Sequence, residues 1–192
     1  MMQDFWNDLL ANDKAVFAVL NGKWTNSFFD ILMPWCRDSK NWIPLYFVIL
    51  TLLFYKWGKK AWKWVLMVVI NVALTDQISS SFFKPVFHRL RPCADPTLMH
   101  QSRLLLDHCS GGFSFTSSHA ANHFGLAMFM VMTMQPLLKN YRYLFLIWAA
   151  IISYAQVYVG VHFPLDVFAG AIIGISVGYL SSKIYYKIAG LP

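Results

Sequence analysis

Lys84 and Arg91-Pro92 close one apolar stretch of this chain, Ser117-Ser118-His119 opens the next, and His162 and Asp166 straddle the junction of two more. Arginine offers a planar fork to anionic oxygens, and lysine adds a compact point charge. A serine before a helix caps it, and the capped terminus still presents N–H groups and a positive dipole end to an anion. A histidine whose ring is held by a carboxylate has a fixed tautomer, which frees its other nitrogen to act as a nucleophile. Two cations, an anion-binding helix end and two histidines beside an apolar medium suit chemistry on a phosphate group.

Each group also has a plainer reading. Lys84 and Arg91 are seven residues apart and could be cations snorkelling from a helix end. A polar half-span, Thr75-Asp76-Gln77 through Ser79-Ser80-Ser81, precedes Lys84, however, and residues 76, 80 and 84 share one helical face, so Asp76 is expected to support the site from inside the bundle. His119 and His123 have the i, i+4 spacing of a metal pair, which only Asp76 or Asp166 could complete; a packed, hydrogen-bonded His123 is the reading adopted. Pro164 suits the first position of a helix, and Asp166 then falls in its first turn, within reach of His162.

These residues need membrane helices to position them. The 192-residue chain is 57% hydrophobic and only 13% charged, against roughly a quarter charged in soluble domains. Its net charge of +7 is scattered over segment ends and one loop rather than gathered in a patch, so nucleic acid is not an expected partner. The pattern predicts an all-α polytopic membrane bundle with five spans, at about residues 41–55, 61–83, 119–138, 141–159 and 164–184. Residues 1–40 hold two shorter amphipathic pieces, expected to lie in the interface with Trp6, Trp24 and Trp35 at headgroup depth; a hairpin packed on the bundle is the alternative. The expected division is 1–40 and 41–192. The opening MMQDFWNDLL has neither a basic n-region nor a small-residue cleavage site, and is not expected to be a removable signal. Lys56, Lys59, Lys60, Lys139, Arg142, Lys183 and Lys187 fall on one side, which the positive-inside rule makes cytoplasmic. The loop of residues 84–118 then lies outside, and its own basic residues call for a local task such as anion binding.

The same residues resemble the type 2 phosphatidate phosphatase superfamily. Its first motif, Lys, six residues, Arg-Pro, matches Lys84 to Pro92; its second, Pro-Ser-Gly-His, reads Thr116-Ser117-Ser118-His119; its third, Ser-Arg, five residues, His, three residues, Asp, reads Ala155-Gln156, His162 and Asp166. The likeness covers about residues 41–186. It implies a lipid phosphate or diphosphate substrate of the undecaprenyl diphosphate, lipid A or phosphatidylglycerol phosphate type. It also implies a metal-independent, cofactor-free reaction in a bacterial cytoplasmic membrane, with the site facing the periplasm. His162 would attack phosphorus to form a phosphohistidine, Asp166 would orient it, and His119 would protonate the leaving oxygen and then activate water. Lys84, Arg91 and the amides near Ser117 and Ser118 would hold phosphate oxygens.

One departure bears on charge. The third-motif arginine is Gln156 here, which keeps hydrogen-bond donors and loses a cation. Gln156 is still expected among the phosphate-holding residues; Arg89 or Arg103 is expected to replace the charge, or the substrate to differ, or the enzyme to be slow. A non-catalytic or flippase-like lipid-phosphate binder is the competing function; a vanadate-dependent oxidase fits less well, since those relatives are soluble. Cys93 and Cys109 share the outer loop, where a bridge would close about 16 residues and contribute about 3 kcal/mol. Two free thiols are the alternative, and Cys36 is left unpaired in either case.

Overall fold

The computed structural model describes residues 2–98 and 101–189, and these form helices joined by turns and one long loop. His100, one of the outer-loop histidines, lies outside the described residues. Two helices open the chain, α1 (Met2–Ala18) and α2 (Ser27–Arg37). The Asn26 side chain caps α2 by accepting from the Phe29 amide at 2.9 Å. Next come α3 (Ile43–Trp57) and α4 (Ala61–Gln77); α4 continues through a π-helical segment, Ile78–Phe83, into the short α5 (Lys84–Phe87). After the long loop come α6 (Ser118–Thr133), the short α7 (Gln135–Leu138), α8 (Leu144–Tyr158) and α9 (Pro164–Ala189).

Helix α6 is the centre, packed along α9, α8 and α4. Its closest neighbour is α9, because Gly170, Gly174 and Gly178 recur every four residues on the facing side. A Cβ at Gly174 would stand 2.3 Å from the Ala121 carbonyl oxygen, and one at Gly178 2.3 Å from that of Gly125. Small residues at this spacing let helix backbones touch, which is how helices associate where no water drives them together. Buried polar ties complete the join: Trp64 Nε1 donates to Thr133 at 2.8 Å, Thr75 to Asn122 at 2.7 Å, and Asn71 to Ser181 at 3.1 Å. Trp64, Leu53, Phe129, Met134 and Ile152 fill the core between these helices.

The stretches Ser39–Ala94 and Pro164–Ala189 are long and apolar enough to cross a membrane. Large apolar side chains point outward from α3, α4 and α9, among them Phe47 at 70% and Phe168 at 64% exposure. Exposed apolar faces of this kind mark a surface that meets a membrane or a partner.

The N-terminal segment, α1 and α2, packs onto the bundle. Phe17 of α1 is buried against Leu98, Val157 and Phe163. Met33 and Cys36 of α2 are buried against Ala155, Tyr158, Val159 and Val161. Asn21, fully buried between the helices, donates to the carbonyls of Tyr158 (2.7 Å) and Arg103 (2.9 Å) and accepts from the Arg103 amide (2.7 Å). The opposite faces remain apolar and exposed at Phe5, Trp6, Trp24, Phe28, Ile31 and Trp35. The long loop is cross-linked by a Cys93–Cys109 disulfide with a Cα–Cα distance of 5.8 Å, while Cys36 is a buried free thiol.

Candidate active site

Six segments meet at one end of the bundle: the ends of α1 and α2, the α4–α5 junction, the long loop, the start of α6 and the α8–α9 turn. His162 lies in that turn, 2% exposed, with its amide and that of Val161 donating to the Gln156 carbonyl at 3.3 and 3.1 Å. Its Nε2 faces Arg91 Nη1 at 3.1 Å. Its Nδ1 is 3.6 Å from Asp166 Oδ2, too far for a direct hydrogen bond. Ser114 fills the gap: its hydroxyl lies 3.4 Å from Nδ1 and donates a short hydrogen bond to Asp166 Oδ2. The expected His162–Asp166 contact is therefore an Asp–Ser–His arrangement. It assigns the proton to Nδ1 and the free lone pair to Nε2. Burial lowers the His162 pKa to about 4, against the raising pull of Asp166, so the ring is neutral at pH 7.

Asp166 is fully buried and anchors the site. Oδ2 also accepts from the Phe163 amide at 2.8 Å, Oδ1 accepts from Arg89 Nη1 at 2.7 Å, and its backbone carbonyl accepts from the Ser117 amide at 3.0 Å. Arg89 turns its other nitrogen to Asp13 of α1 at 2.6 Å, with its guanidinium stacked 4.0 Å over Phe163. Asp13 accepts the Leu165 amide as well, at 2.9 Å.

The cations divide into engaged and available ones. Arg91 donates to the carbonyls of Val161 and Gly111 at 3.1 and 3.3 Å, and its buried Nε has no partner among the described residues. Lys84 makes no hydrogen bond or ion pair with a described residue. Arg89 is held by two carboxylates, and Arg103 is clamped by Asp30 at 2.7 and 2.8 Å. Neither offers a free fork, so the expected replacement for the missing charge is corrected. The arginine that reaches Gln156 is Arg37, whose Nε donates to Oε1 at 3.3 Å.

Ser117 caps α6, its side chain accepting from the Ala120 amide at 3.4 Å. Its own amide is engaged by Asp166, so the N–H groups left for an anion are those of Ser118 and His119. Ser79, in the π-helical segment, holds this turn by contacts at 3.0 Å to both Thr116 Oγ1 and Ser118 Oγ. Asp76 accepts from Asn122 at 3.3 Å and ties α4 to α6, a supporting role. The His119 and His123 rings stack 6.2 Å apart, and His123 Nδ1 is bonded to the His119 carbonyl at 2.8 Å. Both carboxylates that would complete a metal site there are engaged elsewhere. A cleft of about 190 Å³, lined by Ser39, Tyr46, Val72, Asn122, His123 and Leu126, opens between α3, α4 and α6 beside this stack.

Asp13, Arg37 and Ser114 are the site residues that sequence reasoning missed. Only the Asn, Asp and Arg residues scattered through the amphipathic N-terminal segment hinted that it does more than lie on a surface.

The family model of the PAP2 superfamily matches residues 60–189. The lipid A 4′-phosphatase of Bacteroides thetaiotaomicron is 34% identical over 97% of this chain and 81% of its own length. That of Porphyromonas gingivalis is 31% identical over 92% of this chain and 74% of its own. The crystal structure of the transmembrane PAP2-type phosphatidylglycerolphosphate phosphatase of Bacillus subtilis superimposes with a TM-score of 0.75 at 22% identity, over 95% of this chain and 88% of that one, a likeness of fold. With its motif residues gathered at one end of a helical bundle of that fold, this chain belongs to the PAP2 superfamily.

Proposed function

We propose that this chain is a membrane lipid phosphatase that removes a phosphate from a lipid A-type substrate, through a phosphohistidine on His162. The observation that carries it is an oriented His162 Nε2 facing Arg91 Nη1 at 3.1 Å, with Lys84, which has no hydrogen bond or ion pair to a described residue, acting on the same ring and the start of α6 tied to Asp166 beside it. Phosphoryl transfer asks for positioning and charge stabilisation above all. Arg91 donates to the Nε2 lone pair at rest; an arriving phosphate takes over that donor and leaves Nε2 facing phosphorus. Attack forms the N–P bond and breaks the bond to the lipid oxygen, which takes a proton from His119. Water, deprotonated by His119, then attacks the phosphohistidine, and phosphate leaves with the N–P electron pair returned to Nε2. Asp166, held by Ser114 and Arg89, stabilises the imidazolium throughout.

The bilayer supplies the rest of the reading. Five helical segments span it, α3, α4, α6 with α7, α8 and α9, and the site lies at the outer, periplasmic face of a bacterial cytoplasmic membrane. The exposed aromatic faces of α1 and α2 rest at headgroup depth, and the cleft beside His123 admits part of the lipid from the side. The lipid A arm is favoured by the named relatives, whose likeness extends over nearly the whole chain. The test is phosphate release by purified, detergent-solubilised protein from lipid A, undecaprenyl diphosphate and phosphatidylglycerol phosphate. Release from lipid A with the highest kcat/KM is expected. Binding of all three without release would favour the non-catalytic reading instead.

A further inference from the structure

We propose that Arg37, in the last turn of α2, is the third phosphate-holding cation of this site, and that Gln156 is its positioning residue. The inference rests on the phosphatase reading above and names a residue within it.

Gln156 is fully buried directly beneath the nucleophile, since its carbonyl accepts the His162 amide. A buried amide side chain needs partners at both ends. Its Nε2 donates to the Ile152 carbonyl at 3.4 Å, and its Oε1 accepts from Arg37 Nε at 3.3 Å. That contact uses the inner nitrogen of the guanidinium. Nη1 and Nη2 make no hydrogen bond to a described residue, and no carboxylate among them stands within ion-pair distance of Arg37, the adjoining Asp38 acting on it only through space. Through Gln156 the guanidinium stands beside the turn that carries His162, and its charge acts on His119 and Arg91 as well.

Its position is built in. Met33 and Cys36 bury one face of α2 against α8 and the turn that carries His162. Asp30, two helical turns before Arg37, is gripped by Arg103 and by the Tyr158 hydroxyl, each at 2.7 Å. Trp42 Nε1 donates to the Cys36 carbonyl at 2.8 Å, closing the turn just beyond. The C-terminal dipole of α2 suits a cation in its last turn, and with its Nη atoms unbonded among the described residues the guanidinium keeps donors for an anion. With Lys84, Arg91 and the α6 amides, the Arg37 fork completes a set of donors around the equatorial oxygens of a transferring phosphoryl group.

The experiment is a charge swap in the full-length, detergent-purified protein, read by phosphate release from lipid A and by binding of orthovanadate, a small mimic of the pentacoordinate state. Arg37→Gln is expected to lower kcat/KM about a hundredfold or more, with the loss mainly in kcat, and to weaken orthovanadate binding. Arg37→Gln combined with Gln156→Arg returns a guanidinium to the same corner from the other side, and is expected to recover at least tenfold of that loss, roughly. A purely structural role for Arg37 would not be rescued this way. Wild-type kcat/KM in Arg37→Gln, or a swap no better than the single variant, overturns the proposal while leaving the phosphatase reading intact. If the wild type releases no phosphate from any lipid, that reading fails and Arg37 is judged on orthovanadate: lost binding at an unchanged thermal midpoint sustains it, unchanged binding overturns it. Should Arg37→Gln fail to fold, Arg37→Lys replaces it, since an ammonium keeps the charge without the fork; a lowered kcat sustains the proposal and a wild-type kcat overturns it.

Discussion

Arg89→Met should destabilise the fold far more than a surface arginine would. The side chains at stake are buried: Arg89 is 14% exposed, Asp13 6% and Asp166 0%. Removing the guanidinium leaves two carboxylates without their cation, while methionine keeps an apolar stem over Phe163. Asp166 retains Ser114 and the Phe163 amide, and Asp13 retains, among the described residues, only the Leu165 amide. Burial already raises the Asp13 carboxyl pKa, and Arg89 is the main force pulling it back. Taking one partner from a buried ion pair costs about 3–5 kcal/mol. At about 2–4 °C per kcal/mol for a chain this size, the thermal midpoint in detergent should fall by about 6–20 °C. Asp13→Asn alone leaves Arg89 paired with Asp166 and should cost about 1.5–3 kcal/mol. The double variant should cost less than the sum by about 0.5–3 kcal/mol, because the second change removes one of the stranded charges. A midpoint for Arg89→Met within about 3 °C of wild type, or an additive cycle, would refute the claim that this arginine holds α1 to Asp166.

Further outcomes follow from the same geometry. Because the His162 pKa is lowered to about 4, its neutral form persists below the ordinary histidine range, and the acid limb of kcat/KM should appear near that pH rather than near 6.5. The unfolded chain binds a proton at this histidine between those two values and the folded one does not. Stability should therefore fall as pH drops through that window, and His162→Gln should flatten the slope. Gly174→Ala sets a Cβ 2.3 Å from the Ala121 carbonyl oxygen; it should cost about 1–3 kcal/mol by forcing α6 and α9 apart, visible as a lower thermal midpoint. Alkylation without reduction should modify one thiol, Cys36, and only under unfolding conditions, and Cys93→Ser with Cys109→Ser should cost about 3 kcal/mol by chain entropy.

The sequence was most legible where chemistry and periodicity constrain residue type. His162, Asp166, His119, Lys84 and Arg91 meet at one bundle end because each stands at the mouth of an apolar segment, and position along a helix axis can be read from hydropathy alone. The segments themselves agree in place: 119–138 was expected where α6 and α7 run, and 164–184 where α9 does. Face is harder than depth. Residues 76, 80 and 84 were placed together on α-helical geometry, but the chain turns π-helical from Ile78. Ser79 therefore reaches Thr116 and Ser118, while Ser80 folds back on Asp76. Long-range partners are hardest of all. Asp13 meets residues 76 and 152 positions away, and Arg37 meets Gln156 119 positions away. No local pattern marks such pairs, and two short amphipathic helices read as surface pieces when their buried polar residues have no visible partner. The four-residue glycine spacing in the last helix was a usable signal, since it states how closely α9 can be approached.

In the proposed reaction His162 Nε2 is the atom that receives the phosphoryl group. Its most direct test is peptide mass spectrometry after alkaline quenching of enzyme mixed with lipid A, in wild type and His162→Ala. The account predicts one phosphoryl group on the peptide containing His162, present during turnover and absent once substrate is exhausted, and no phosphate release by His162→Ala. A phosphoryl group on another residue, or wild-type release by His162→Ala, would contradict it.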